Sequence, residues 1–207
     1  MVLQASAPRT LVRLKPETAR APWVRLKPDA TLQSRSARYT VGVDAEPLLA
    51  EVVRQMNAAR LEAVLIGNAA AALQGAPVTT VDFDFMFLKT PRNLAKMKAV
   101  ARALGAMILR PYYPVSDLYR MTRDDGLQVD LMGTIHGVRS FAGLRDRATT
   151  LGVGGEVVLV ASLDDIIKSK RAARRPRDLA VLEILEAARG AKEARPEGQA
   201  RRPRARK

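Results

Sequence analysis

Hydrophobic and polar positions alternate most clearly in the stretch from Val64 to Leu88. An apolar run ends at Gly67-Asn68, an alanine-rich segment follows, Gly75-Ala76-Pro77 turns the chain, and a second apolar run carries Asp82 and Asp84. In that second run Val81, Phe83, Phe85 and Phe87 share one parity, and Asp82, Asp84 and Met86 share the other. Successive side chains of a strand point to opposite faces. A strand over Val78 to Leu88 therefore seats four apolar groups in a core and sends two carboxylates to the same side, roughly 7 Å apart.

The rest of the middle of the chain reads as alternating short elements. Leu48, Leu49, Val52, Val53, Met56 and Ala59 are spaced for a helix over 45–60. Glu62 to Gly67 reads as a short buried strand. Gly67-Asn68 opens a short helix ending near Gly75, with Asn68 as its N-cap. A helix from Pro91 to Leu104 turns Leu94, Met97, Ala101 and Leu104 inward. Ala106 to Leu109 is a short strand. Asp117 to Gly133 reads as a hairpin turning at Asp124-Asp125-Gly126, whose return strand places Gln128, Asp130 and Met132 on one face. A smaller hairpin, Thr149 to Val160, turns at Gly154-Gly155. Ser162 and Asp165 form a variant capping box for a helix to about Arg174. Arg175-Pro176 should end it, because the residue before proline avoids the helical region. A last helix then runs from Pro176 to about Arg189. The pattern is α+β: a mixed sheet flanked by helices, closed by a C-terminal helical pair.

Composition narrows the chemistry. There is no cysteine among the 207 residues, which removes disulfides, zinc-thiolate sites and thiol nucleophiles. A hydrophobic content of 47% is enough for a core, and with only 4% aromatic that core is mostly aliphatic. No apolar run reaches about 18 residues, so no membrane span is predicted, and a cytoplasmic protein is the expectation. The net charge of +14 is unevenly spread. Residues 1–40 carry eight bases and two acids, residues 189–207 carry the same numbers, and 41–188 carries nineteen bases and seventeen acids. A segment near repeated within 1–40 (Leu11 to Thr18, then Trp23 to Ala30) is proline- and arginine-rich with little to bury, and reads as a disordered extension. The folded domain is thus 41–188, and 189–207 is a basic tail. Inside the domain one dense basic segment stands out: Lys168, Lys170, Arg171, Arg174, Arg175 and Arg177.

Two acids on one strand face repel each other unless a cation sits between them, and a hard divalent ion with oxygen ligands is the usual answer. Asp130 is a third acid, alone on its apolar strand. If the two strands are neighbours, Asp82, Asp84 and Asp130 form a triad able to hold two Mg²⁺ ions for phosphoryl transfer. The glycine corner at Gly67-Asn68 offers backbone N–H groups to an anion. Lys170 and Arg174, four apart, share a helix face and add positive charge. His136, the single histidine, reads as a loop residue, and Tyr112 and Tyr113 as a packed loop. Asp124 and Asp125 read as turn residues.

Together these residues resemble the nucleotidyltransferases of the polymerase-β superfamily, in the minimal bacterial form that includes AbiEii-type and MenT toxins. The resemblance covers about Leu61 to Leu185. It rests on Gly67-Asn68, Asp82-Phe83-Asp84, Asp130, and Lys170 with Arg174-Arg175-Pro176-Arg177-Asp178. It implies a nucleotidyltransferase core and transfer of a nucleoside monophosphate from an NTP to a hydroxyl. The acceptor would be tRNA or other RNA for a toxin with a cognate antitoxin, or a small molecule as in antibiotic-modifying enzymes; a catalytically degenerate nucleotide- or RNA-binding module is the third reading. It implies Mg²⁺ on Asp82, Asp84 and Asp130, with Asp130 as a base, and nucleotide contacts from Gly67, Asn68, Lys170 and Arg174. Asp178, grouped with these nucleotide-binding residues, would support the basic helix or the site. Asn68 stands where glycine or serine is usual, and Val78 where many relatives have arginine.

Overall fold

A computed structural model of the chain describes residues 45–80 and 82–194. The expectations for the N-terminal extension, for Val81 and for the end of the basic tail lie outside the described residues. Seven strands form one mixed sheet. They are β1 (Ala63–Ile66), β2 (Phe83–Phe87), β3 (Met107–Leu109), β4 (Tyr119–Thr122), β5 (Gln128–Met132), β6 (Thr149–Val153) and β7 (Glu156–Val160). Their order across the sheet is β3-β4-β5-β2-β1-β7-β6. The helices are α1 (Ala45–Ala59), α2 (Gly67–Leu73), α3 (Pro91–Ala103), α4 (Phe141–Asp146), α5 (Leu163–Ala173), α6 (Pro176–Leu179) and α7 (Leu182–Glu193). None of them is long and apolar enough to cross a membrane.

Each element follows from a local cause. Leu49, Val52, Val53 and Met56 give α1 a buried stripe at helical spacing. The Thr90 hydroxyl accepts from the Asn93 N–H and Pro91 occupies the first turn, so α3 starts there. Ser162 accepts from the Asp165 N–H to start α5. The Arg147 guanidinium donates to both oxygens of the buried Asp165, at 3.0 and 2.8 Å, and ties α5 to the end of α4. Phe85 and Phe87 lie fully inside, each contributing about 2–3 kcal/mol of burial before ordering entropy is subtracted.

The central pairings are set by register. β2 runs antiparallel to β1, with Ile66 opposite Asp84, and parallel to β5, with Asp84 beside Asp130. β4 returns antiparallel to β5 with Arg120 opposite Asp130.

Several local expectations are corrected. β2 begins at Phe83 rather than Val78: Val78 is buried in the preceding loop, and Asp82 sits at a bend just before the strand. Met86, on the aspartate parity, is buried as well, so that face is covered beyond the acids. Asn68 lies inside α2 and is not its N-cap; the chain leaves β1 so abruptly at Gly67 (φ +69°) that Ile66 takes the capping position without a side-chain bond. The helix expected from Pro176 is two segments, broken at Ala180-Val181, and α7 continues through Gly190 to Glu193. Its last turn carries an Arg189–Glu193 pair at 3.8 Å, of the i,i+4 kind that supports helix ends. α4, which the hydrophobic pattern does not announce, is capped by Ser140 and anchored by Phe141 and Leu144. Tyr112 and Tyr113 are exposed rather than packed, with the Arg110 guanidinium 3.9 Å from the Tyr113 ring centre.

Candidate active site

Three carboxylates meet where β1 ends. The parallel pairing of β2 and β5 sets Asp84 and Asp130 side by side on one face, and Asp82 joins them from the bend two residues earlier. One oxygen from each lies within 4.8 Å of the others. The turn at Gly67 is built against this cluster. A Cβ placed there would stand 2.4 Å from Asp84 Oδ2, and the left-handed φ already disfavours any other residue.

The three acids differ in their surroundings. Asp82 is held by polar neighbours: Gln128 Nε2 donates to its Oδ2 at 3.2 Å, and the Thr80 hydroxyl lies 3.3 Å from its Oδ1. Asp130 is buried and clasped by Arg120, whose Nε donates to Oδ1 at 2.8 Å and Nη2 to Oδ2 at 2.6 Å. Asp84 carries the electrostatic deficit. Burial first, then the charges of Asp82 and Asp130, push its carboxyl up to about 7, and Lys170 and Arg177 only partly offset this. A close set of carboxylate oxygens whose central member resists ionisation fits a hard divalent cation, which would relieve both repulsion and desolvation.

The basic segment flanks the acids. Lys170 extends from α5, and its Nζ donates to Asp178 Oδ1 at 3.1 Å. Asp178, buried in α6, also accepts from Arg175 Nε. Burial alone would raise Asp178; its bonds to Arg175 and Lys170 overcome that and hold it below the usual carboxylate range. Arg174 does not share a helix face with Lys170. It follows the last residue of α5 in the left-handed region (φ +53°) and is exposed, because the approach to Pro176 stops the helix. Arg177 is the second cation whose field reaches Asp84.

Asn68 sits beside the glycine corner, but its amide is engaged. Nδ2 donates to the Thr79 carbonyl at 3.0 Å, which fixes the loop leading to Thr80 and Asp82, while Oδ1 is buried without a partner. His136 lies exposed in a loop. Asp125 closes its turn by accepting from the Leu127 N–H.

The sequence reading missed Arg120, Gln128 and Thr80. A signal for Arg120 was present: a hairpin turning about Asp125 pairs position 120 with 130.

No protein-family model matches the sequence, and no curated relative does either. Solved structures do. The lincomycin-bound lincosamide antibiotic adenylyltransferase LnuA matches with a TM-score of 0.52 at 13% identity, over 69% of this chain and 97% of that one. ANT(2″)-Ia in complex with adenylyl-2″-tobramycin matches at 0.50 and 15% identity, over 72% of this chain and 97% of that one. So distant an identity speaks to architecture alone, and with the seven-stranded mixed sheet it establishes that this chain has the nucleotidyltransferase fold.

Proposed function

We propose that the protein is a Mg²⁺-dependent nucleotidyltransferase that moves a nucleoside monophosphate from an NTP to a hydroxyl acceptor. The observation that carries this reading is the meeting of Asp82, Asp84 and Asp130 against the Gly67 corner. Bound there, Mg²⁺ would supply Lewis acidity and charge neutralisation at the phosphates. Asp82 and Asp84 would hold it, with Asp130 completing the set. Lys170, kept in place by Asp178, would meet the nucleotide phosphates, and Gly67 would let the backbone approach them. Asn68 would contribute indirectly, through the Thr79 loop. Asp130 would take the proton of the acceptor hydroxyl. The hydroxyl oxygen then bonds to the α-phosphorus, the bond to the bridging oxygen breaks, and pyrophosphate leaves with its electron pair.

Two acceptor classes follow from different observations. A small hydroxyl compound is supported by the fold likeness to LnuA and ANT(2″)-Ia, solved with lincomycin and with adenylylated tobramycin. RNA, such as a tRNA 3′ end, is supported by the exposed bases Lys168, Arg171, Arg174, Arg175 and Arg177; a toxin role with an antitoxin partner belongs to this branch. Incubation with each α-labelled NTP, Mg²⁺, and either tRNA or a panel of aminoglycosides and lincosamides tests both. Label on either acceptor, lost in Asp84→Asn, is expected. Absence of transfer to every acceptor would leave a non-catalytic nucleotide-binding module. RNA transfer should weaken steeply with salt and small-molecule transfer should not.

A further inference from the structure

We infer that two copies of this chain associate edge to edge, β3 against β3, with the loop that follows β3 completing the contact. This goes beyond the proposed transfer reaction and does not depend on it.

The observation is a concentration of exposed apolar side chains. Among the described residues eight large hydrophobic side chains are exposed, and five of them lie between Met107 and Val115. Met107 is 65% exposed, Leu109 44% and Val115 95%; Tyr112 and Tyr113 are the other two. Together the five residues leave open roughly 600 Å², the upper end of the largest apolar patch on an ordinary monomer. Scattered hydrophobics on a surface need no explanation, but a run of this size marks an interaction site.

The two edges of the sheet differ. β6 presents Thr149, Thr150 and Gly152 to solvent and keeps Val153 inside. β3 presents Met107 and Leu109, and it contains neither a charge nor a proline. Its inner side pairs with β4, and its outer side has no partner strand among the described residues. The unpaired backbone groups of such an edge are ready to receive another strand.

Charge and symmetry select the partner. Between Ala103 and Tyr119 the only charged residues are Arg110 and Asp117. Arg110 Nη2 donates to Asp117 Oδ1 at 3.4 Å, and Lys89 Nζ donates to Oδ2. The patch therefore offers no charge without a partner, in a chain of net charge +14. RNA or a strongly acidic protein finds no countercharge there, whereas two copies can meet there without the repulsion their other surfaces impose. Antiparallel pairing of a strand with its own copy is also self-complementary. Ile108 would face its counterpart, and Met107 the counterpart of Leu109, which sets four apolar side chains in one group on one face. Two facing patches would bury about 1,200 Å², the lower bound of a specific interface, so a dissociation constant in the micromolar range is expected. The contact uses no residue of the acid cluster, whose Asp130 lies on the third strand from this edge.

Sedimentation velocity of the full chain between about 1 and about 100 μM should show the mass rise from one copy of 22.6 kDa toward two. Leu109→Lys, at an exposed position, should raise the dissociation constant about tenfold or more, because like charges then meet across the contact. Thr150→Lys on β6 should leave it unchanged. Amide exchange at Met107–Leu109 in the unmodified chain should slow severalfold as concentration rises. A chain that stays monomeric throughout would overturn the inference and leave the patch to a different protein. So would a dimer that survives a folded Leu109→Lys, or one that is lost in Thr150→Lys. If Leu109→Lys does not fold, the exchange measurement decides: β3 amides that ignore concentration would overturn the inference.

Discussion

Two acids of this fold, each within reach of Lys170, have opposite fates. Asp84 sits among like charges and is pushed up to about 7. Asp178 sits between Lys170 and Arg175 and is held below its ordinary value despite its burial. The second corner is complete as it stands, since its carboxylate has two donors and its lysine has a partner. The first is complete only with added positive charge. A satisfied buried pair supports the structure, whereas an unsatisfied cluster against a glycine corner marks a place where something binds.

The sharpest way to break this contrast is to neutralise each acid. Asp84→Asn should reduce nucleotide transfer by about 10³-fold or more while leaving the melting temperature equal or higher, because a repelled charge is removed. Asp178→Ala should do the reverse first. Stripping the partner from the mostly buried Lys170 should lower stability by about 3 kcal/mol, read by denaturant unfolding, with activity falling as Lys170 loses its position. If Asp84→Asn destabilised and Asp178→Ala did not, the assignment of roles would be reversed.

Smaller perturbations sharpen the first corner. Gly67→Ala should cost about 1–2 kcal/mol from the left-handed backbone alone, and should weaken Mn²⁺ binding because the new methyl meets Asp84 Oδ2. The pH dependence follows from the direction of the Asp84 shift. Its value in the folded protein, about 7, lies above the ordinary 3.8, so the folded state binds the proton more tightly than the unfolded one. The associated stability is complete below about pH 4 and is lost as pH rises through 7. Mg²⁺ at the proposed site would bind the ionised form, so the rise in melting temperature on adding Mg²⁺ should be larger at pH 8 than at pH 6 by a few degrees. Asp178 has the opposite sign: its contribution is present near neutrality and is lost only below the ordinary carboxylate range. The smallest effect is expected for Asn68→Ala, about 1 kcal/mol, with Asp82 less firmly placed and metal affinity modestly reduced.

Much of the site's material was legible in the chain. Parity along Phe83 to Phe87 set the three phenylalanines opposite Asp84, although buried Met86 shares the aspartate side, and Asp124-Asp125-Gly126 announced the hairpin that carries Asp130. Less legible were features in which a side chain answers a distant backbone group. Asn68 looks like a helix cap by type and position, yet its amide serves the Thr79 carbonyl eleven residues on. Arg174 looks like a helical neighbour of Lys170, yet the backbone turns left-handed there ahead of Pro176.

By itself the sequence determined most of the elements, though not α4 or the break between α6 and α7, because periodicity, caps and turn residues act within a few positions of one another. It also determined which faces carry acid. Only the tertiary structure decided that β2 lies parallel to β5, so that Asp84 and Asp130, forty-six positions apart, share one cluster with Arg120 against one of them. Strand order depends on how whole faces pack together, and local patterns do not encode it.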